Sequence, residues 1–186
     1  NKQARKCAQS LMKKLQILQG SALEKLKELD DKSIQTCITS PPYWGLRNYN
    51  VEGQLGLEST PQQYVQKLVE IFREVKRVLK DDGTVWLNLG DSYVGSRPMG
   101  TSDNEIDAYG RVNKTLQHTT SQGKLVKGLK PKDLVGIPWR VAFALQEDGW
   151  YLRQDIIWNK PNPMPESVTD RCTKSHEYIF LLSKSE

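Results

Sequence analysis

The chain has 186 residues, 37% apolar and 26% charged, with a formal net charge of +5. That length buries a real core as one domain, and the composition is that of a soluble globular protein. No stretch approaches a membrane span, no signal peptide is visible, and the basic balance is compatible with a nucleic-acid partner. Cys7, Cys37 and Cys172 are odd in number and lack metal-type spacing, which predicts a reduced, cytoplasmic setting.

Residues 2–15, rich in Lys, Gln and Leu, read as a helix or a basic arm, and both remain open. Leu15–Leu18 reads as a short strand ending at Gly20. Ser21 then caps a helix running to Leu29, with Glu24 at the capping-box position. The run Ser33–Ile38 is a buried strand, β-branched and short, with Asp30-Asp31 before it. Strand, glycine, helix and strand predict a right-handed βαβ unit.

That second strand runs into Thr39-Ser40-Pro41-Pro42-Tyr43-Trp44. Neither proline has an N–H for a ladder, and Pro42 pushes Pro41 out of the helical region. The strand therefore ends in a rigid elbow presenting a hydroxyl, free carbonyls and an aromatic ring. In an open α/β sheet, ligands bind at the carboxyl ends of strands. The Ser40 side chain and the Pro41 carbonyl can accept the two hydrogens of an exocyclic amino group, while Tyr43 stacks on its heterocycle. The alternative is a Pro-Pro turn that merely ends a strand, with Tyr43 and Trp44 covering the core.

Residues 45–58 form a loop of glycines and aromatics with Arg47, suited to closing over a substrate and reaching a phosphate. Thr60-Pro61 opens the strongest helix. Thr60 caps it, Gln63 stands at the capping-box position, and Tyr64, Leu68, Ile71, Phe72, Val75, Val78 and Leu79 form one apolar stripe. The helix stops at Lys80–Gly83. A buried strand follows over 84–90, ending in Asp91-Ser92-Tyr93. Residues 95–130 show almost no apolar periodicity and read as a flexible excursion. Its Arg97, Arg111, Lys114, Lys124, Lys127 and Lys130 face DNA phosphates or stand in a solvated loop. His118 there has no partner at metal spacing. A helix from Lys132, properly beginning at Pro138, runs through Leu145. A strand covers 150–158, and Pro161, Pro163 and Pro165 stiffen the loop after it. His176–Leu182 is a last strand, antiparallel because only a loop precedes it.

Ser-Pro-Pro-Tyr, Gly-Thr-Val-Trp-Leu-Asn-Leu-Gly-Asp, Ile-Ile-Trp-Asn-Lys and Ser-His-Glu-Tyr-Ile-Phe occur in that order. Together they resemble the β-group of DNA amino-methyltransferases over roughly residues 15–184. The resemblance implies an α/β, Rossmann-like sheet with a final antiparallel strand, S-adenosylmethionine as cofactor, and DNA as partner. It implies methyl transfer to the exocyclic amino nitrogen of a flipped base by direct in-line attack, with Ser40, Pro41, Pro42 and Tyr43 catalytic. Ser before the prolines is most similar to the cytosine-N4 enzymes, with adenine N6 as the alternative. Gly20, Ser21 and Thr39 fall on the cofactor side, although the family carries Gly-Asp where this chain has Gly20-Ser21. Trp44, Arg47, Asp91 and Lys160 fall on the DNA or target-base side.

The family's Asp-Pro-Phe-x-Gly-Ser-Gly cofactor loop has no counterpart here, and neither does its main recognition region. The expectation is therefore one partial catalytic domain over 1–186, completed by a homodimer partner, a second chain or a further segment. The setting implied is the cytoplasm of a bacterium or archaeon, or a phage-encoded origin. Competing functions are an inactive DNA-binding or regulatory subunit, an amino-methyltransferase acting on RNA or a protein amide, and an unrelated α/β enzyme.

Overall fold

A computed structural model describes residues 15–94, 128–130, 132–166 and 168–186. The N-terminal arm and nearly all of the 95–130 excursion, with five of its six cations and His118, lie outside the described residues. Helix α1 (Ala22–Lys27) leads to strand β1 (Ile34–Thr39), then α2 (Pro61–Val78), β2 (Leu79–Leu89), α3 (Ile137–Glu147), β3 (Tyr151–Asn159) and β4 (His176–Ser183). The sheet order is β1-β2-β4-β3. β1 and β2 are parallel, and β4 is antiparallel to both neighbours, as expected for the last strand.

The strongest sequence signal gives the best-built helix. Pro61 is the first residue of α2, and Thr60 Oγ1 accepts the Gln63 N–H at 3.2 Å. The stripe of Tyr64, Leu68, Phe72, Val75 and Val78 is buried against the sheet. Each such large apolar side chain contributes about 1.5–3 kcal/mol. The opposing surface is Val85, Leu87 and Leu89 of β2 with Phe180 and Leu182 of β4, and α3 adds Val141, Ala142 and Leu145. Trp150 meets Phe72 edge to face at 6.4 Å.

Four expectations change. The strand read at Ser33–Ile38 forms as β1 but is not buried, because it is an edge of the described sheet and none of its residues is fully covered. Leu15–Leu18 forms no strand. Leu15 and Ile17 are 89% and 83% exposed, because the segment finds neither a ladder nor a core to join. The parallel unit is therefore β1-α2-β2, not one beginning before α1. Ser21 is the N-cap residue of α1, but its side chain makes no capping bond. This short helix is held instead by Arg77, whose guanidinium donates to the carbonyls of Leu26 and Leu29 at 2.8 and 3.0 Å. Finally, Lys80–Gly83 does not separate helix from strand. The register steps from Ile34↔Leu79 to Thr36↔Thr84, so the intervening residues are a bulge within β2.

Alternation leaves the other face of the sheet different in character. Ile38 pairs with Trp86, which pairs with Leu181. On this face Ile38 is 80% exposed, Trp158 50% and Trp86 36%. No described helix is long and apolar enough to cross a membrane.

Candidate active site

The elbow is pinned from beneath. The Tyr64 hydroxyl, on the buried stripe of α2, donates to the Pro42 carbonyl at 2.9 Å. Burial first, then the nearby Glu58 and Tyr43, push the Tyr64 hydroxyl pKa up, so it remains a proton donor. Trp44 Nε1 donates to the Glu58 carbonyl at 3.0 Å, and the Gly45 N–H donates to Gly56 O at 2.8 Å. With Pro42 O consumed, Pro41 O is an elbow carbonyl that receives no hydrogen bond from any described residue.

Polar side chains from β2 and β4, and from just beyond the ends of β1 and β3, converge at the elbow. Tyr43 Oη lies 2.8 Å from Asn88 Oδ1 and 2.9 Å from Glu177 Oε2. Ser40 Oγ lies 3.3 Å from both Tyr43 Oη and Asn88 Oδ1. Asn88 Nδ2 donates to the Tyr178 carbonyl at 3.1 Å, and Lys160 Nζ pairs with Glu177 Oε1. The Tyr43 ring lies on the backbone of Gly90, where a Cβ would stand 2.5 Å from Cε2. Partial burial is the main cause that pushes the Tyr43 hydroxyl up to about 12; the Ser40 hydrogen bond lowers it, and the Glu177 carboxylate raises it again. Partial burial pushes Glu177 up, but hydrogen bonds from Lys160, Tyr43 and Asn88 outweigh it and hold the carboxyl below its usual value.

The structure brings Ser40, Pro41, Pro42 and Tyr43 into one site, with Lys160 at its edge over the Trp158 ring at 5.5 Å. Two residues assigned to the target-base side are placed elsewhere. Trp44 is 1% exposed and belongs to the core, since the chain turns inward after the prolines and its indole N–H is spent on Glu58. Asp91 caps α3: its carboxylate accepts the N–H groups of Ser92, Gly136 and Ile137 at 2.9–3.1 Å. Arg47 is exposed on its loop, with its carbonyl held by Gln54 Nε2 at 2.7 Å.

Asn88 and Glu177 were not singled out from the sequence. The signals were present: an amide inside the apolar run Val-Trp-Leu-Asn-Leu, and a carboxylate near the start of an apolar strand.

Thr39 lines a cleft of about 470 Å³ between α1, β1, α2 and the elbow, together with Leu18, Lys25, Leu26, Cys37 and Pro41. Gly20 and Ser21 are not among its lining residues, although Leu18 and Ala22 on either side of them are. The cleft offers apolar walls that suit an adenine, but no carboxylate lines it to take a ribose diol. No glycine-rich turn among the described residues opens a helix beside it. These residues do not fit a whole S-adenosylmethionine.

Solved structures share this architecture. The PvuII DNA methyltransferase, described as cytosine-N4-specific, superposes with a TM-score of 0.56 at 19% identity, over 89% of this chain and 47% of that one. A DNA modification methylase of Thermus thermophilus, complexed with S-adenosyl-L-methionine and described as putative, gives 0.56 at 23% identity, over 90% and 54%. The fold is thus that of the α/β, Rossmann-like S-adenosylmethionine-dependent methyltransferases. A model of the DNA methylases that modify N6 or N4 matches residues 34–186, and the chain belongs to that family. It is 54% identical over 171 residues to the Type II methyltransferase M.Cfr9I of Citrobacter freundii, covering 91% of this chain. It is 52% identical over 185 residues to the Type II methyltransferase M.SmaI of Serratia marcescens, covering 99%. The chain spans 54% and 61% of those two relatives' lengths.

Proposed function

We propose that the protein is an S-adenosylmethionine-dependent DNA methyltransferase of a restriction–modification system, acting in the cytoplasm on the exocyclic amino nitrogen of a flipped base. Cytosine N4 is the favoured target, on the strength of Ser40 before the two prolines. The observation that carries the reading is the pair of acceptors at the elbow: Ser40 Oγ beside a Pro41 carbonyl that no described residue engages, with Tyr43 fixed next to them.

The target base leaves the stack at a cost of a few kcal/mol. Its two amino hydrogens meet Ser40 Oγ and Pro41 O, which hold them out of conjugation and leave the nitrogen lone pair available. Tyr43 stacks on the ring. Catalysis here is positioning and electrostatics, with no covalent bond to the protein. The methyl group would come from S-adenosylmethionine, leaving S-adenosylhomocysteine, while the methylated nitrogen would release one of its protons to solvent; the cofactor's seat would be completed outside the described residues, by a further segment or a second chain. Arg47 and Lys130 face the DNA phosphates.

The incomplete cofactor cleft favours one second reading, a binding subunit of the same fold that transfers nothing. Isotope-labelled S-adenosylmethionine and mixed-sequence DNA, followed by nucleoside mass spectrometry, separate the two. Label on N4-methylcytosine is expected, while label on N6-methyladenine retains the elbow chemistry and changes the base. Full-length protein that binds DNA with a steep salt dependence yet transfers no label is the binding subunit.

A further inference from the structure

The amino-group chemistry uses Ser40 and Pro41 and leaves two neighbouring polar side chains without a role, Asn88 and Glu177. A serine hydroxyl is both a donor and an acceptor, and its proton rotates to suit its surroundings. Serving a nucleophilic nitrogen, it must accept. Aimed the other way, its proton would land on the nitrogen lone pair and withdraw the electrons the reaction needs.

The hydrogen-bond geometry removes that freedom. Asn88 Nδ2 donates to the Tyr178 carbonyl at 3.1 Å, and Oδ1 is the amide atom within bonding distance of Ser40 Oγ and Tyr43 Oη. Lys160 occupies Glu177 Oε1 and keeps the carboxylate ionised, so Oε2 can only accept. Two acceptors, Asn88 Oδ1 and Glu177 Oε2, thus face two hydroxyls with one proton each. The Tyr43 proton goes to Glu177 at 2.9 Å, because the bond to a charged acceptor is the stronger one. Ser40 is left to donate to Asn88 Oδ1 or to the Tyr43 oxygen, both at 3.3 Å and both on the protein side.

We propose that Glu177, with Asn88, is a positioning residue that turns the Tyr43 and Ser40 protons inward, so that Ser40 meets the incoming amino group as an acceptor. The proposal rests on the amino-methyltransferase reading and adds to it what makes the serine form of the elbow competent. Glu177 does not touch the base; it acts through the Tyr43 hydroxyl.

Glu177→Gln preserves shape but turns an amide N–H toward Tyr43, which then sends its proton to Asn88 and competes with Ser40 for that oxygen. In the full-length protein we expect kcat to fall roughly 10- to 100-fold, with KM for DNA nearly unchanged. Tyr43→Phe should give a similar loss, and the double variant should be no slower than the slower single one, because both remove the same link. A second reading needs no turnover: ring-labelled tyrosine NMR should follow the Tyr43 hydroxyl titrating near 12 in the wild type and lower in Glu177→Gln, which removes the carboxylate and leaves the raising by burial in place. An active wild type whose kcat survives both substitutions, or losses that multiply in the double variant, overturns the proposal alone. An unshifted Tyr43 titration does the same. A wild type that transfers no methyl group overturns the functional reading and the proposal with it. Should Glu177→Gln fail to fold, unchanged kcat in Tyr43→Phe is sufficient to refute it.

Discussion

Gly90→Ala tests the placement of the Tyr43 ring without touching any polar group. The added Cβ would stand 2.5 Å from Tyr43 Cε2 and 2.7 Å from Cδ2. Carbon atoms in contact sit near 3.5–4.0 Å, so the ring must retreat by roughly 1 Å. That movement stretches the Oη contacts to Asn88 and Glu177, now 2.8 and 2.9 Å, beyond hydrogen-bond range. Overpacking of this kind costs about 1–3 kcal/mol, and we expect a loss near the middle of that range. Urea unfolding followed by tryptophan fluorescence should show the midpoint falling by about 1 M for an m-value near 2 kcal/mol/M. The same substitution in a Tyr43→Ala background should be close to neutral, since the group it collides with is gone. An equal cost in both backgrounds would show that Gly90 is needed for some other reason and that the ring does not lie where the structure places it.

Three further outcomes follow from the same geometry. Tyr64→Phe leaves the Pro42 carbonyl without its donor and should cost about 1–2 kcal/mol, read as a lower melting temperature, with methyl transfer reduced because the elbow loosens. Asp91→Ala removes the carboxylate that caps α3 and should destabilise by about 1–2 kcal/mol while leaving DNA affinity unchanged; a selective loss of DNA binding would return Asp91 to the substrate side. At alkaline pH the unfolded Tyr43 ionises near its ordinary value of 10, but the folded one only near 12. Its stabilising contribution is therefore complete below pH 10 and lost as pH rises toward 12, so Tyr43→Phe should flatten the alkaline decline in unfolding midpoint.

The elements that could be read from sequence are those whose signals are local and mutually consistent. Thr60, Pro61 and Gln63 specify the start of α2, and the three-and-four spacing of its stripe specifies the buried face. The prolines of the elbow had one physical meaning, an abrupt strand end, and the structure shows it. What was not legible depends on partners distant in the chain. Leu15–Leu18 has strand composition, but composition does not supply a neighbouring strand. Trp44 and Asp91 adjoin the elbow and a strand end in sequence, yet the chain turns one inward and spends the other on a helix terminus more than forty residues away. Glu177 reaches Tyr43 across 134 positions of chain, a pairing that only the register of β2 with β4 creates.

The bare side of the sheet has a consequence for how the site becomes dry. Ile38 and Ser40 are two residues apart at the end of β1, as are Trp86 and Asn88 on β2, so apolar floor and polar rim share one strip of surface. A surface that settles on the floor also closes over the rim, and sheltering grease and excluding solvent from the acceptors become a single event. The hydrophobic gain of the first can then drive the desolvation required by the second. Among the described residues β1 is an edge of the sheet, so the same strip, while uncovered, favours concentration-dependent association of this chain with itself.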